Sequence, residues 1–404
     1  MTCRGPAGPA RIIANARLVG GPAEQAVRDE LFTLEIRDRS IAKVARAAEF
    51  DTGCGPEVID AAGRVVLPGF VDCHTHACFA GSRLDEWERK LAGASYLELM
   101  EQGGGIMATV RATRAASEIE LADLLLMRLK RMLAHGSTTI EVKSGYGLDT
   151  ESELKMLRAI ARAAESFYGS VVATACIGHA IDPAVDHERF VRRTIEETLP
   201  AVTAEFPEIA LDAYCEQGAW SLDDCLALFD AGQSAGHSIR VHADQFNALG
   251  MIEAAVAGGF ASVDHLEATD ETGLRTLAES KTFGVMLPAS GFHLDERYGD
   301  GRTFLEAGGR LALGTNYNPG SAPCWSMPFV VALAVRKLGL TPTEAMHAST
   351  AAGAELLGLA DRGKIEPGMR ADLVVLDHAD ARNLAFEFGG NPVARVMVAG
   401  QWTC

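Results

Sequence analysis

The stretch Val71-Asp72-Cys73-His74-Thr75-His76 decides how this chain is read. It closes the apolar run Val65-Val66-Leu67-Pro68-Gly69-Phe70-Val71. A strand turns alternate side chains to one face, so His74 and His76 project together and both imidazoles can reach a single ion. Pro68-Gly69 interrupts the chain just before them and Gly81 opens the loop after them, as at a strand ending in the mouth of a site. Two histidines at this spacing also occur in ordinary strands, so a metal reading needs further ligands from elsewhere in the chain.

At 404 residues the chain exceeds one ordinary core, which implies two domains or one barrel with an accessory unit. Apolar residues at 48%, aromatics at 6% and 41 glycines describe a packed α/β protein. The net charge of −17 speaks against a nucleic-acid or anionic-membrane surface, both of which need clustered Lys and Arg. The expected partner is a small molecule, and an anionic one must be held by a local cation against that field. No apolar run approaches the roughly 20 residues of a spanning helix, and Met1 to Gly20 lacks the order of a signal peptide. Nine cysteines, an odd number without a CxxC pair, suit a reducing compartment, so a cytoplasmic location is expected.

Both ends of the chain read as β structure. Arg11 to Val19, Leu31 to Ile36 and Ser40 to Val44 are short strand candidates, and Ala371 to Asp377 and Val393 to Val398 are two more. Strands this few are marginal alone. Residues 1–65 and 363–404 are therefore expected to form one small composite β-sandwich domain, with residues 66–362 inserted between its halves. The inserted part alternates strand and helix patterns. After the His74 strand come Ser137–Lys143, Ser170–Cys176, Ile209–Cys215, Ser238–His242, Ala261–His265, Phe283–Pro288 and Arg310–Thr315. Helical periodicity fills Leu121–Ala134, Glu151–Ala164, Leu222–Ala231 and Met251–Ala257 between them. Eight such units predict an α/β fold of the (β/α)₈ TIM-like barrel type.

In such a barrel the chemistry sits at the C-terminal ends of the strands. His74 and His76, then His179, His242 and His265, five of the eleven histidines, fall at or just beyond strand ends where core filling would favour aliphatics. That convergence predicts a divalent metal site. His135 at a helix end, and His187, His237 and His378 in turn-like settings, read as surface or capping residues.

The motifs PGFVDCHTHACFAGSR (Pro68 to Arg83), GGGIMATVRATRAAS (Gly103 to Ser117), IEVKSGYGLDTESELKMLR (Ile140 to Arg158), HADQFNALG (His242 to Gly250), DHLE (Asp264 to Glu267) and NPGS (Asn318 to Ser321) carry a resemblance. The chain resembles the amidohydrolase superfamily and, within it, the imidazolonepropionase family. The resemblance implies one divalent ion, Zn or Fe, on His74, His76 and His242. It implies that His265 acts on the attacking water or the substrate. Arg83, Tyr146, His179, Gln245, Asn318, Gly320 and Ser321 match substrate-binding positions, with Arg83 the cation for a propionate carboxylate because its fork meets a carboxylate bidentately. It also suggests a homodimer.

One residue departs from the family pattern. Strand eight of the family carries an Asp that ligates the metal and serves as a base, and here that position is Asn316. An amide oxygen can coordinate but cannot take a proton at neutral pH. Proton transfer then falls to His265, with Gln245 and Asn316 completing the catalytic set. Three activities follow from this departure. One is hydrolysis of an imidazolone-like ring bearing a propionate, by attack of water activated at the metal. The second is hydrolytic desulfuration of a 2-thioxo-imidazolidinone propionate, whose hydrosulfide leaves without needing an acid, with Cys176, Cys215 and Cys324 as residues that could contact sulfur. The third is a catalytically silent ligand-binding relative.

Overall fold

A computed structural model describes residues 10–20, 30–50, 57–93 and 104–403. Gly103, the first residue of one of the quoted motifs, lies outside the described residues, as do 1–9, 21–29 and 51–56 of the N-terminal segment.

Four strands come from the N-terminal region, β1 (Arg11–Leu18), β2 (Phe32–Arg37), β3 (Ser40–Arg46) and β4 (Glu57–Asp60), and β5 (Val65–Pro68) follows. Eight parallel strands come next. They are β6 (Phe70–Asp72), β7 (Ser137–Lys143), β8 (Ser170–Gly178), β9 (Ala210–Cys215), β10 (Arg240–Ala243), β11 (Ser262–His265), β12 (Phe283–Met286) and β13 (Leu311–Leu313). They pair in sequence order from β6 to β13, the arrangement expected of successive βα units. Just past the strand ends the chain draws the first and last of them together. The Asn316 amide donates to the His74 carbonyl at 2.9 Å, and the His76 amide donates to the Tyr317 carbonyl at 3.0 Å. The barrel is thus tied shut at the level where the histidines begin.

The helices outside the barrel start where short polar side chains can cap them. Ser117 accepts from the Glu120 amide before Glu118–Ala134, and Asp149 accepts from the Ser152 amide before Thr150–Ser166. Ser221 and Asp224 form a reciprocal capping box at the head of Leu222–Ser234. The apolar faces of these helices pack on the strands through buried residues such as Leu125, Leu129, Ile160 and Leu228. Trp220, fully buried, meets the Phe190 ring edge to face and donates its indole N–H to the Ala180 carbonyl.

The chain ends supply β14 (Leu373–Leu376), β15 (Val393–Val398) and β16 (Gln401–Trp402). A second sheet runs β16-β15-β14-β5-β1-β2-β3, with β4 paired to β1, so both termini do build one β unit. The N- and C-terminal halves meet where β5 pairs with β14, and β1 joins β5 to the remaining N-terminal strands. Its first residues pair with β4 and its last two, Arg17 and Leu18, with β5, on either side of Asn15 at φ 54°. This unit has its own core of Ile13, Leu34, Ile36, Ile41, Val66, Ile365, Leu373 and Met397. Residues 66–68, read from the sequence as the start of the barrel, pair instead with β14 of the outer sheet. The change-over falls at Gly69, because its amide donates to Asp372 in the outer unit while the next amide, Phe70, donates to Gly136 at the barrel. A Cβ on Gly69 would lie 2.1 Å from Thr138 Oγ1.

That close approach makes Gly69→Ala an overpacking change. We expect it to lower the unfolding free energy by about 1–3 kcal/mol, read as a shift of the denaturant midpoint at unchanged slope.

Candidate active site

His74 and His76 stand just beyond β6, and His242 lies within β10, directly beside Tyr214 of β9 in the register. Their nearest ring nitrogens lie within 4.8 Å of one another, and all three residues are buried. His76 Nε2 and His242 Nε2 face each other at 3.0 Å, while His74 Nε2 is buried with no hydrogen-bond partner. The opposite nitrogens of two rings are occupied by carboxylates. Asp264 Oδ2 lies 2.5 Å from His74 Nδ1, and Asp212 Oδ1 lies 2.9 Å from His242 Nδ1. A carboxylate at Nδ1 fixes the tautomer and turns the Nε2 lone pair inward, which is the arrangement of metal-ligating histidines. Burial, reinforced by the Lys143 ammonium, pushes His74 well below the ordinary imidazole range. Burial and the imidazoles of His179 and His242 do the same to His76. Neutral imidazoles are the form that binds an ion, so the chemistry of this donor set fits a divalent metal.

Beneath the histidines lies a layer of buried charge. Lys143 Nζ donates to Glu141 Oε1 at 2.8 Å and to Asp212 Oδ2 at 2.7 Å. Arg240 donates to Asp264 Oδ2 at 2.6 Å and to the Cys73 carbonyl at 2.8 Å. All five charged side chains are almost wholly buried. Burial works against the Lys143 ammonium, but Asp212, Glu141 and Asp264 outweigh it and raise its pKa. Burial likewise opposes the Asp212 carboxylate, yet His242 and Lys143 hold it below the usual carboxylate range. Three carboxylates facing two cations leave a negative balance below the histidines, which favours a cation at their centre.

Three residues that close strands toward the site adopt backbone conformations L-residues rarely take: Asp244 at φ 56°, His265 at φ 98° and Asn316 at φ 52°. Such strain persists only where surrounding contacts impose it, and it gathers at functional sites. His265 Nδ1 lies 3.2 Å from Glu267, leaving Nε2 for the cavity. Asn316 Nδ2 donates to Ser290 Oγ at 2.8 Å, while its Oδ1 is buried without a partner. Asp244, by contrast, accepts from Thr269 Oγ1 and does not line the cavity.

Above the histidines opens a cavity of about 550 Å³ that collects every residue the family resemblance assigned to substrate: Arg83, Tyr146, His179, Gln245, Asn318, Gly320 and Ser321. His179 stacks on His76 with ring centres 4.5 Å apart and planes 12° from parallel. Its Nδ1 lies 3.0 Å from the Gly145 carbonyl, and burial, with His242 close by, pushes its pKa down to about 3. The neutral ring therefore donates from Nδ1 and presents Nε2 as an acceptor. Gly145, at φ 111°, must lack a side chain, since a Cβ would come within 2.9 Å of His179. Gln245 accepts from the Tyr214 hydroxyl at 2.8 Å. Asn318 Oδ1 accepts from the amides of Gly320 and Ser321, folding that loop into a fixed turn. Arg83 is already paired, its Nε donating to Glu86 Oε2 at 2.7 Å and a second guanidinium nitrogen to Glu86 Oε1.

Sequence reading did not assign roles to Asp212, Lys143, Glu141, Arg240, Glu267, Glu86 or Ser290. A signal was present for several, because a lone charge inside an apolar strand such as IALDAYC or SIRVH demands a buried partner. Cys176, Cys215 and Cys324 fall outside the cavity lining, so their proposed contact with a substrate sulfur is not supported. Cys176 is buried with its sulfur within 4.8 Å of Asp212 and His242 ligand atoms, beneath the cavity rather than in its lining, and burial pushes the Cys324 thiol up to about 11. His237 is buried rather than at the surface, tied to Ile209 and Thr203.

The Amidohydrolase family profile matches residues 65–403. The chain belongs to the amidohydrolase family. It is 42% identical to the imidazolonepropionase of Herpetosiphon aurantiacus over 97% of this chain and 96% of that one. It is also 42% identical to the imidazolonepropionase of Deinococcus radiodurans, over 94% and 95%. Among solved structures, 5-methylcytosine deaminase from Klebsiella pneumoniae superposes with a TM-score of 0.76 at 17% identity, covering 97% of each chain. N-isopropylammelide isopropylaminohydrolase from Burkholderia multivorans gives 0.73 at 18% identity over 98% of each. Those two show the fold. The chain is an amidohydrolase, of a metal-dependent family, and His74, His76 and His242 form a cluster that could hold an ion. Among the described residues no helix is long and apolar enough to cross a membrane.

Removing the carboxylate behind one ligand tests the site directly. Asp212→Asn is expected to weaken divalent-ion affinity by about 10–100-fold, measured by competition with a chromophoric chelator. Unchanged affinity would mean that His242 is not a ligand.

Proposed function

We propose that this amidohydrolase opens a five-membered imidazolone ring carrying a propionate, with one divalent ion, Zn or Fe, held by His74, His76 and His242 and completed by Asn316 Oδ1. The observation that carries the reading is the combination in one cavity of the neutral histidine cluster with Tyr146, His179 and Arg83. The likeness to imidazolonepropionases over nearly the whole chain supports it. A divalent ion at that place supplies Lewis acidity, which acidifies water and polarises a carbonyl.

The protein's own residues do the rest. Tyr146 and His179 face the ring from one wall, and the Nε2 acceptor of His179 suits a ring N–H. Arg83 receives the propionate carboxylate by sharing its fork between Glu86 and the substrate. The attacking water adds to the ring carbonyl carbon, and the C–N bond to the adjacent nitrogen breaks. His265, steadied by Glu267, takes the proton from the water and returns it to the departing nitrogen. The carbonyl carbon ends as a carboxylate and the nitrogen stays in an open amidine. Gln245, fixed by Tyr214, orients the ring across from His265.

A second reading rests on Asn316. With no carboxylate at this position the site has one fewer proton acceptor, and a substrate whose leaving group departs as an anion suits it better. In that reaction water adds to a thioxo carbon, the C–S bond breaks, hydrosulfide leaves and a carbonyl remains with the ring intact.

Incubating the metal-loaded protein with imidazolone propionate and with its 2-thioxo counterpart, while following ring-opened product and sulfide separately, distinguishes the two. Ring opening without sulfide is the expected result; brisk sulfide release with an intact ring would transfer the assignment to desulfuration. In either reaction a chelator should abolish turnover. His265→Ala is expected to lower kcat for ring opening by about 10²–10⁴-fold, and Asn316→Asp to raise it.

A further inference from the structure

Next to the site cavity lies a second one, of about 600 Å³, to which nothing in the reaction assigns a role. The two share Arg83, Glu86, Lys90, Asn318 and Gly320, so the Arg83–Glu86 pair with Lys90 forms the partition between them. The second cavity is walled by the helix Leu84–Leu91, the helix Glu118–Ala134 and the loop after β13.

Its charge runs against that of the molecule. In a chain of net charge −17, the described lining holds four cations, Arg83, Lys90, Arg128 and Arg131, and a single carboxylate, Glu86. That carboxylate is already engaged by Arg83 and, at 3.5 Å, by Lys90. Arg128 is 6% exposed, and its guanidinium lies 3.5 Å from the centre of the Phe79 ring. Its hydrogen-bond acceptors are neutral, the carbonyls of Ala77 at 2.9 Å and Phe79 at 2.6 Å. Clamping those carbonyls accounts for the burial of Arg128. Among the described residues no carboxylate pairs with Arg128 or Arg131 along this wall. Arg131 stands 5.6 Å over the Trp325 ring, and Trp325 meets Tyr317 edge to face at 5.9 Å. Cations beside a continuous aromatic wall match a molecule with a flat ring and a carboxylate, since the ring stacks and the carboxylate meets guanidinium bidentately.

We propose that this cavity is a second anion site that binds a small ring-bearing carboxylate, its ring against Trp325 and its carboxylate toward Arg131 and Arg128. The site stands whether or not the catalytic cavity opens imidazolone rings, because none of its evidence comes from the histidine cluster. Two sources share this chemistry: the acids of the protein's own reaction, and an unrelated aromatic acid.

The test uses the full-length, metal-loaded protein, titrated with benzoate and, as a ringless control, succinate. Binding is read by calorimetry and by tryptophan fluorescence, which reports on four tryptophans. Benzoate should bind at one site, more tightly than succinate. Arg131→Gln should weaken it about tenfold or more while leaving turnover without benzoate unchanged. Trp325→Phe should also weaken binding and reduce the fluorescence change. Displacement of benzoate by imidazole-4-propionate, lost with Arg131→Gln, would support the site and assign it to the reaction's own acids. Failure to displace would support the site and assign it to another aromatic acid. Equal benzoate affinity in the wild type and in Arg131→Gln would overturn the proposal, as would purely competitive inhibition untouched by that substitution. If the protein turned over neither ring, the titration alone would still decide.

Discussion

Everything at the mouth of this barrel depends on two buried carboxylates that each serve two masters. Asp212 bridges His242 and Lys143, and Asp264 bridges His74 and Arg240. Each orients an imidazole from behind while its own charge is held by a cation below. A carboxylate buried without the cation would take up a proton and release the imidazole; the cation without the carboxylate would be an uncompensated charge in the core. The cluster is therefore cooperative: four strands, β7, β9, β10 and β11, contribute charged side chains to it, so correct ligand geometry and correct barrel assembly are the same event.

Above that layer, precision comes from backbone rather than charge. The left-handed conformations of His265 and Asn316 turn the ends of β11 and β13 into the cavity, while Asp244, also left-handed at the end of β10, is held by Thr269 outside it. Each costs on the order of 1–3 kcal/mol, borne by the surrounding packing. Asn316 is also where the chain closes on itself, through its amide bond to His74. Asn316 is thus tied to the barrel seam beside the histidine cluster. Its Oδ1 is buried without a partner and carries no charge, and the two proposed reactions accordingly differ in their leaving group and not in where the substrate sits.

The Arg83–Glu86 pair adds a constraint on substrate entry. A guanidinium already chelated by a carboxylate offers less to a second one, unless nearby charge relieves the competition. Lys90, within 3.5 Å of Glu86, is placed to take up part of that carboxylate's demand. In the proposed reaction, recognition of an anionic substrate would draw on Arg83 and Lys90 at the partition, and both also line the neighbouring cavity.

Much of this was legible in the residues themselves. Period-two and period-three-to-four patterns delimited the eight barrel strands and the principal helices, because a strand buried on both faces and an amphipathic helix each leave a local signature. His74 and His76 share a strand-end face for the same local reason. The chain-end strands were visible too, but their single sheet, the pairing of β5 outside the barrel and the crossing at Gly69 depend on contacts between residues hundreds of positions apart, as with Gly69 and Asp372. Which charges back the ligands was likewise decided only by the fold. A lone Asp in β9 or Arg in β10 announces that it needs a partner, yet alternation along one strand says nothing about which neighbour the barrel's stagger will set against it. The sequence alone determined the barrel and the gathering of histidines at its C-terminal rim; tertiary structure decided that His74, His76 and His242 meet, that Asp212 and Asp264 back two of them, that Arg83 is paired with Glu86, and that Asn316 Oδ1 is left without a partner, because each depends on distances across strands that no local pattern encodes.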